Sequence, residues 1–174
     1  CLCLFVKLCK LLYMTKAVFP GSFDPPTIGH LNIIQRASKL FDEVDVVIAV
    51  NENKKYLFNQ DERTNMLLEL IKDYKNVSVH AWNGLIVEYA KKINAKVLIR
   101  GIRNSADFSY EFELSMINHN LDPNIETLFI PTDQKYILLK SSTIKELAHF
   151  GGDISEMVPK NVENAIKAKF KKLL

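Results

Sequence analysis

A short apolar strand, Lys16-Ala17-Val18-Phe19, runs through Pro20-Gly21-Ser22-Phe23-Asp24-Pro25-Pro26 into Thr27-Ile28-Gly29-His30, and a junction of this kind is suited to holding phosphates. Unpaired backbone N–H groups and the positive end of a helix dipole meet there, and a glycine at position 29 leaves room for close approach. His30 stands at the mouth of that site. Beside a helix N-terminus an imidazole tends to stay neutral, so it can donate a hydrogen bond to a phosphoryl oxygen without adding charge. Nucleotide chemistry at an α-phosphate fits such a group. A Gly-His pair is a weak signal by itself, because the same residues also make an ordinary loop and a half-buried first-turn histidine.

Other residues strengthen the case. Lys54-Lys55 and Arg100-Gly101-Ile102-Arg103 could bring several cations to one pocket, which implies anionic ligands. Lys54-Lys55 alone would be a solvated pair, whereas Arg100 ends an apolar strand and is better placed for a site. Ser141-Ser142-Thr143 before Ile144-Lys145-Glu146-Leu147 reads as a helix cap that can also bind phosphate. His80, His119 and His149 are spaced as isolated surface or packing residues, and no protein-made metal site is indicated. Neither Gly-x-x-x-x-Gly-Lys-Ser/Thr nor Gly-x-Gly-x-x-Gly occurs, nor does any sequence-supported Ser/His/Asp arrangement, so the familiar kinase, dehydrogenase and hydrolase types lack their parts.

These residues need a scaffold, and alternation of elements supplies one. Leu31 to Phe41 has a helical period, Val44 to Val50 is a buried strand, and Asn59 with Glu62 caps a helix whose stripe is Met66, Leu67, Leu70, Ile71 and Tyr74. Strands at Val77 to Ala81, Val97 to Ile99 and Leu128 to Ile130 follow. Helices are expected at Leu85 to Ile93, from about Ala106 to Asn120, from Ser142 and from Val162. The pattern predicts an α/β, Rossmann-like, doubly wound parallel sheet of about five strands with helices on both faces, its ligands outside the carboxyl ends of the strands. The polar stretches fall there.

At 174 residues with 48% hydrophobic and 25% charged residues, one compact domain over residues 14–174 is expected. A net charge of +3 is too small to argue for nucleic-acid binding. All three cysteines, Cys1, Cys3 and Cys9, precede the first strand, which fits a reducing, cytoplasmic setting. Residues 1–13 are apolar but too short for a membrane span, and Lys7 and Lys10 interrupt them. Because the sequence begins without methionine while Met14 stands directly before the first strand, Met14 is expected to be the natural start, with 1–13 a non-native leader and no membrane attachment.

Taken in order, Pro20-Gly21-Ser22-Phe23-Asp24-Pro25, Thr27-x-Gly29-His30, Lys54-Lys55, Arg100-Gly101-Ile102-Arg103, Asp107-Phe108-x-Tyr110-Glu111 and Ser141-Ser142 closely resemble the bacterial phosphopantetheine adenylyltransferase family. Thr-x-Gly-His marks the wider nucleotidylyltransferase superfamily; the segment from Arg100 to Glu111 is more specific. The resemblance implies transfer of AMP from ATP to 4'-phosphopantetheine, giving dephospho-coenzyme A and pyrophosphate. It further implies that Ser22, Phe23 and His30 contact ATP and that His30 stabilises the transition state. Lys54, Ile86 and Arg100 would bind phosphopantetheine with Ser22. Gly101, Ile102, Arg103, Glu111 and the stretch Tyr136, Ile137, Leu138, Leu139, Lys140, Ser141 and Ser142 would bind ATP, with Mg2+ held by triphosphate oxygens and water. A homohexamer and coenzyme A as a product-like inhibitor are also implied. Asp24, before two prolines, is expected to form a turn rather than to be a ligand.

The family's last ATP loop usually has an Ile-Ser-Ser-Ser run, and here Lys140 takes the first serine position; it either adds a phosphate contact or points to solvent. Nicotinate mononucleotide adenylyltransferase is the nearest rival, through Ser141-Ser142-Thr143, although Arg100 to Glu111 argues against it. A glycerol-phosphate cytidylyltransferase lacks its signature here. A non-catalytic nucleotide or coenzyme A sensing module would have no need of His30, Lys54 and Arg100 together.

Overall fold

The computed structural model describes residues 15–51 and 53–171. Residues 1–13 and Met14, on which the expectation of a leader rests, lie outside the described residues. The elements run β1 (Lys16–Gly21), α1 (Ile28–Leu40), β2 (Glu43–Ala49), α2 (Gln60–Ile71), β3 (Val77–Trp82), α3 (Ile86–Lys92), β4 (Val97–Ile102), α4 (Ser105–Leu121), β5 (Glu126–Pro131), a 3-10 turn (Gln134–Tyr136), α5 (Ser141–His149) and α6 (Lys160–Lys171). The five strands form one parallel sheet in the order β3-β2-β1-β4-β5. The expected α/β architecture is thus present.

Strand alternation assigns the two faces. Ala17 and Phe19 of β1, Val44, Val46 and Ile48 of β2 and Ile99 of β4 pack with Ile33, Ile34 and Ala37 of α1 and Leu67 and Ile71 of α2. Val18, Val47 and Leu98 point the other way, against Val87, Tyr89 and Ala90 of α3. Each Val, Leu, Ile or Phe side chain so buried contributes roughly 1.5–3 kcal/mol. A third cluster, Phe58, Met66, Ile144, Ile154, Val158, Val162 and Ile166, seats α5 and α6 against α2.

Several boundaries move for local reasons. The first helix begins at Ile28 rather than Leu31, because Thr27 is its N-cap and accepts from the His30 backbone N–H at 3.2 Å. His30 is therefore in the first turn. Asn59 and Glu62 form the expected capping box on α2, but the helix ends at Ile71 and leaves Tyr74 beyond it. Asn104 caps α4, with its side chain accepting from Asp107 N–H.

The chain winds from β1 outward through β2 to β3, then returns to the other side of β1 for β4. Between the carboxyl ends of β1 and β4 the connections diverge, opening the crevice in which such sheets bind ligands.

Candidate active site

That crevice is a cleft of about 490 Å3. Phe19 to Asp24 from the end of β1 and the turn after it, Thr27, Gly29, His30 and Ile33 from the start of α1, and Arg100, Gly101 and Arg103 from the end of β4 line it. Lys54 closes one side, Glu111 of α4 another, and Thr132, Tyr136 and Leu139 to Ser142 with Lys145 a third. Five cations, Lys54, Arg100, Arg103, Lys140 and Lys145, line it with two carboxylates, Asp24 and Glu111, and Asp107 backs Arg103 from outside the lining. The remaining excess of two positive charges suits a polyanion.

The geometry around His30 determines its tautomer. Its Nδ1 accepts the Thr27 backbone N–H at 3.0 Å, so the ring proton belongs on Nε2, and Thr27 Oγ1 lies 3.0 Å from Nδ1. Burial, then the charge of Arg103, pushes the imidazole pKa down to about 4. At neutral pH the cleft therefore contains an uncharged N–H donor. The edge of the Phe23 ring packs on the imidazole with centroids 5.1 Å apart. Phe23 is buried and adopts φ 47, in the left-handed region, an arrangement that costs a non-glycine residue of order 1–3 kcal/mol and persists only where packing enforces it. Gly21 makes this packing possible, since a Cβ there would meet the Phe23 ring at 2.9 Å. The tight steric requirement lies at Gly21, whereas a Cβ on Gly29 would meet its neighbours no closer than 3.4 Å.

Each arginine is held by a carboxylate. Arg100 donates from Nε to Glu111 at 2.6 Å, from Nη2 to the other Glu111 oxygen, and from Nη1 to the Pro20 carbonyl at 3.1 Å. Arg103 forks onto Asp107 at 2.7 and 3.1 Å and reaches the Leu139 carbonyl at 3.3 Å. Burial works to raise the Asp107 carboxyl, but the hydrogen bonds and charge of Arg103, with the charge of Lys140, outweigh it and hold the pKa below the ordinary value. Such forks fix a guanidinium plane before any ligand arrives. Lys54 donates to Ser22 Oγ at 3.3 Å, while Lys55 is exposed and does not line the cleft.

The cleft thus gathers Ser22, Phe23, His30, Lys54, Arg100, Gly101, Arg103, Glu111, Tyr136, Leu139, Lys140, Ser141 and Ser142 of the expected residues. Ile86, Ile102, Ile137 and Leu138 are not in its lining. Ile86 packs with the α3 cluster, and Leu138 is 85% exposed. Lys140 precedes α5 as its N-cap residue and faces the cleft; Ser141 Oγ donates to the Pro25 carbonyl at 2.9 Å.

Sequence reasoning missed four contributors. Asp24 is not merely a turn residue: its buried carboxylate accepts the Leu57 and Phe58 N–H groups and the Lys145 ammonium. Lys145 stands four residues after Ser141, one helical turn along the same face, a spacing that could have revealed it. Arg63 is 2% exposed, donates to the Ser22 carbonyl at 2.8 Å and stacks 4.1 Å from the Tyr56 ring centre; no local signal distinguishes it from a surface arginine. Asp133, held by Asn32 at 2.8 Å and Arg36 at 3.3 Å, anchors the segment leading to Tyr136.

Comparison with known proteins places the chain in a family. The cytidylyltransferase-like family matches residues 18–147. The phosphopantetheine adenylyltransferase of Caldanaerobacter subterraneus subsp. tengcongensis is 48% identical over 159 residues, 91% of this chain and 99% of that protein. That of Clostridium botulinum is 48% identical over 156 residues, covering 90% and 95%, and that of Staphylococcus haemolyticus 48% over 158 residues, covering 91% and 98%. Among solved structures, one described as a nicotinate-nucleotide adenylyltransferase from Vibrio parahaemolyticus superposes with a TM-score of 0.62 at 21% identity, over 87% of this chain and 91% of that one. At that identity the likeness concerns the fold alone.

Proposed function

The chain belongs to the phosphopantetheine adenylyltransferases within the cytidylyltransferase-like family, and from that premise we propose that it transfers AMP from ATP to 4'-phosphopantetheine, giving dephospho-coenzyme A and pyrophosphate. The observation that carries this is the neutral, Nε2-protonated His30 inside a cleft of five cations. It matches a reaction that joins two polyanions at a phosphorus atom.

In this proposal a terminal phosphate oxygen of the acceptor attacks the α-phosphorus of ATP, the bond from that phosphorus to the bridging oxygen breaks, and the electron pair leaves on pyrophosphate. The acceptor phosphate is already mostly ionised near neutral pH, since a phosphate monoester's second pKa is about 6, so no side chain need remove a proton. Catalysis rests on alignment and on donors aimed at developing charge. Lys54 and Arg100, with Ser22, hold the acceptor phosphate; Arg103, Lys140 and the residues at the start of α5 hold the triphosphate; His30 Nε2–H donates to the α-phosphoryl oxygens. The Glu111 fork keeps Arg100 from collapsing onto solvent, so its third donor edge stays near the end of β1.

The acidic groups of the cleft are already matched, Asp24 with Lys145 and Glu111 with Arg100. Among the described residues no group of three or more His, Cys, Asp or Glu could hold a metal ion. This donor set fits Mg2+ carried in on the triphosphate by phosphate oxygens and water, where it neutralises charge. Coenzyme A, sharing the nucleotide and pantetheine parts of the product, would compete for the same cleft. The body of the chain from residue 10 onward has no cysteine, in keeping with work in the reducing cytoplasm; no described helix is long and apolar enough to cross a membrane.

The chain is proposed to assemble as a homohexamer, of which α4 supports the self-association and the resemblance the number of copies. None of its 17 residues is buried, yet Phe108, Tyr110, Phe112, Met116, Ile117 and Leu121 are each at least 45% exposed. Six large apolar side chains exposed on one helix call for cover, and a second copy of the chain would provide it.

The direct test is release of pyrophosphate from ATP by the full chain with and without 4'-phosphopantetheine. Release that requires the acceptor supports the proposal; ATP binding without any release, acceptor present, would leave a sensing module in its place.

A further inference from the structure

One buried carboxylate joins three walls of the cleft. Asp24 is 3% exposed. Its Oδ1 accepts the Phe58 N–H at 2.9 Å, and its Oδ2 accepts the Leu57 N–H at 3.0 Å and the Lys145 ammonium at 2.7 Å. Leu57 and Phe58 end the loop that carries Lys54. Lys145 lies one turn into α5, with its ammonium in the cleft and its side chain 27% exposed. Asp24 itself sits in the turn between β1 and α1, which leads through the Thr27 cap to His30 in the first turn of that helix. The bonds Lys54 Nζ to Ser22 Oγ and Ser141 Oγ to the Pro25 carbonyl run beside it, each tying the same turn to one of the other two walls.

Three donors converge on this group, and a carboxylate meets them because all of its lone pairs accept. An asparagine could not. Its amide offers one accepting oxygen, and its NH2 would face a backbone N–H or the ammonium, donor against donor. The charge is therefore required by the geometry, and a residue needed only to form a turn would carry no such requirement.

Resting on the function proposed above, we propose that Asp24 is a positioning residue: it holds the Lys54 loop and the Lys145 ammonium in register with the His30 turn, so that the acceptor and triphosphate sides of the cleft are set by one group. Lys145 is the donor through which it acts on the triphosphate, and Lys54 the donor through which it acts on the acceptor. Misplacing either wall by about 1 Å is enough to cost on the order of 10²-fold in such a reaction.

The test is steady-state kinetics of Asp24→Asn, Lys145→Met and Lys145→Arg in the full chain, with melting temperatures measured alongside. Asp24→Asn should raise KM for ATP and for phosphopantetheine, each by on the order of tenfold or more, at temperatures well below its melting point. Lys145→Met leaves the Leu57 and Phe58 bonds in place and should raise KM for ATP alone, and Lys145→Arg, which keeps the charge and the Asp24 contact, should restore most of it. Adding Lys145→Met to Asp24→Asn should raise KM for ATP little further. KM values of Asp24→Asn that stay within about twofold of the parent, or that rise for one substrate only, overturn the proposal. Should Asp24→Asn fail to fold, Lys145→Met decides, and unchanged KM for ATP in that variant overturns it. Failure of the parent chain to make product would instead strike the function on which the inference rests.

Discussion

Replacing His30 with alanine separates chemistry from binding and folding. Nδ1 is engaged by the Thr27 N–H at 3.0 Å, which leaves Nε2–H as the donor toward the cleft. Removing one donor directed at transition-state charge costs about 10²–10³ in kcat, or about 2.7–4 kcal/mol. The same change strips the buried Thr27 N–H of its acceptor, a loss of about 1–3 kcal/mol that lowers the melting temperature of a domain this size by roughly 2–12 °C. Turnover is therefore compared at a temperature below the variant's own midpoint, where only the missing donor acts on kcat. Pyrophosphate release measured over a matrix of both substrate concentrations, at a temperature where the variant is folded, gives kcat and both KM values. The expected result is a kcat reduced by at least about a hundredfold with both KM values within about threefold of the parent, and partial recovery in His30→Asn or His30→Gln, whose amides can donate. Near-normal turnover, or a loss confined to KM for ATP, would make His30 a packing or binding residue and refute the assignment.

Other consequences are equally open to measurement. Lys54→Ala should weaken phosphopantetheine by about 1.5–3 kcal/mol, roughly tenfold to 150-fold in Kd by calorimetry, with ATP little changed; Arg100→Ala should do the same, and equal weakening of both ligands would place these residues elsewhere. Because His30 has its pKa pushed from 6.5 to about 4 in the folded chain, the unfolded chain binds the extra proton first. Stability should therefore hold above about pH 6.5 and decline as the pH falls toward 4, and denaturant titrations of His30→Asn should show a flatter profile in that window. Unchanged slopes would mean that the imidazole is not held neutral by the fold. Ile117→Asp with Leu121→Asp, placed more than a turn beyond Glu111 on α4, should reduce the assembly's mass in light scattering without lowering the thermal midpoint of the remaining species below that of a folded domain; a parent chain that is monomeric at micromolar concentration would contradict the assembly outright.

Much of this architecture is legible in the residues. Runs such as Val44-Asp45-Val46-Val47-Ile48 have the β-branched, doubly buried character of a central parallel strand, and Asn59 with Glu62 announces a helix start through a local hydrogen-bond exchange. Such signals are short-range, so one sequence carries them. The convergence of Ser22, His30, Lys54, Arg100 and Ser141 was also readable, because every strand in a parallel sheet ends on the same edge. What was hidden depends on contacts between distant segments. Asp24 reads as a turn former until Lys145, 121 residues away, is brought to it. Arg63 reads as a surface cation until the Ser22 carbonyl and Tyr56 enclose it. The start of α1 shifted by three residues because Thr27, at the end of a proline-rich turn, serves as cap. Ile86, which packs with the α3 cluster, and Leu138, which is exposed in the turn before α5, do not line the cleft, and their part in binding rests on the resemblance.

The most direct test of the account is the mass of the product formed when the full chain is given ATP and Mg2+ with equal concentrations of 4'-phosphopantetheine and nicotinate mononucleotide. The acceptor site of Lys54 and Arg100 with Ser22 predicts dephospho-coenzyme A with one pyrophosphate released per product, and little or no adenylylated nicotinate mononucleotide. Accumulation of the nicotinate dinucleotide in place of dephospho-coenzyme A would contradict it.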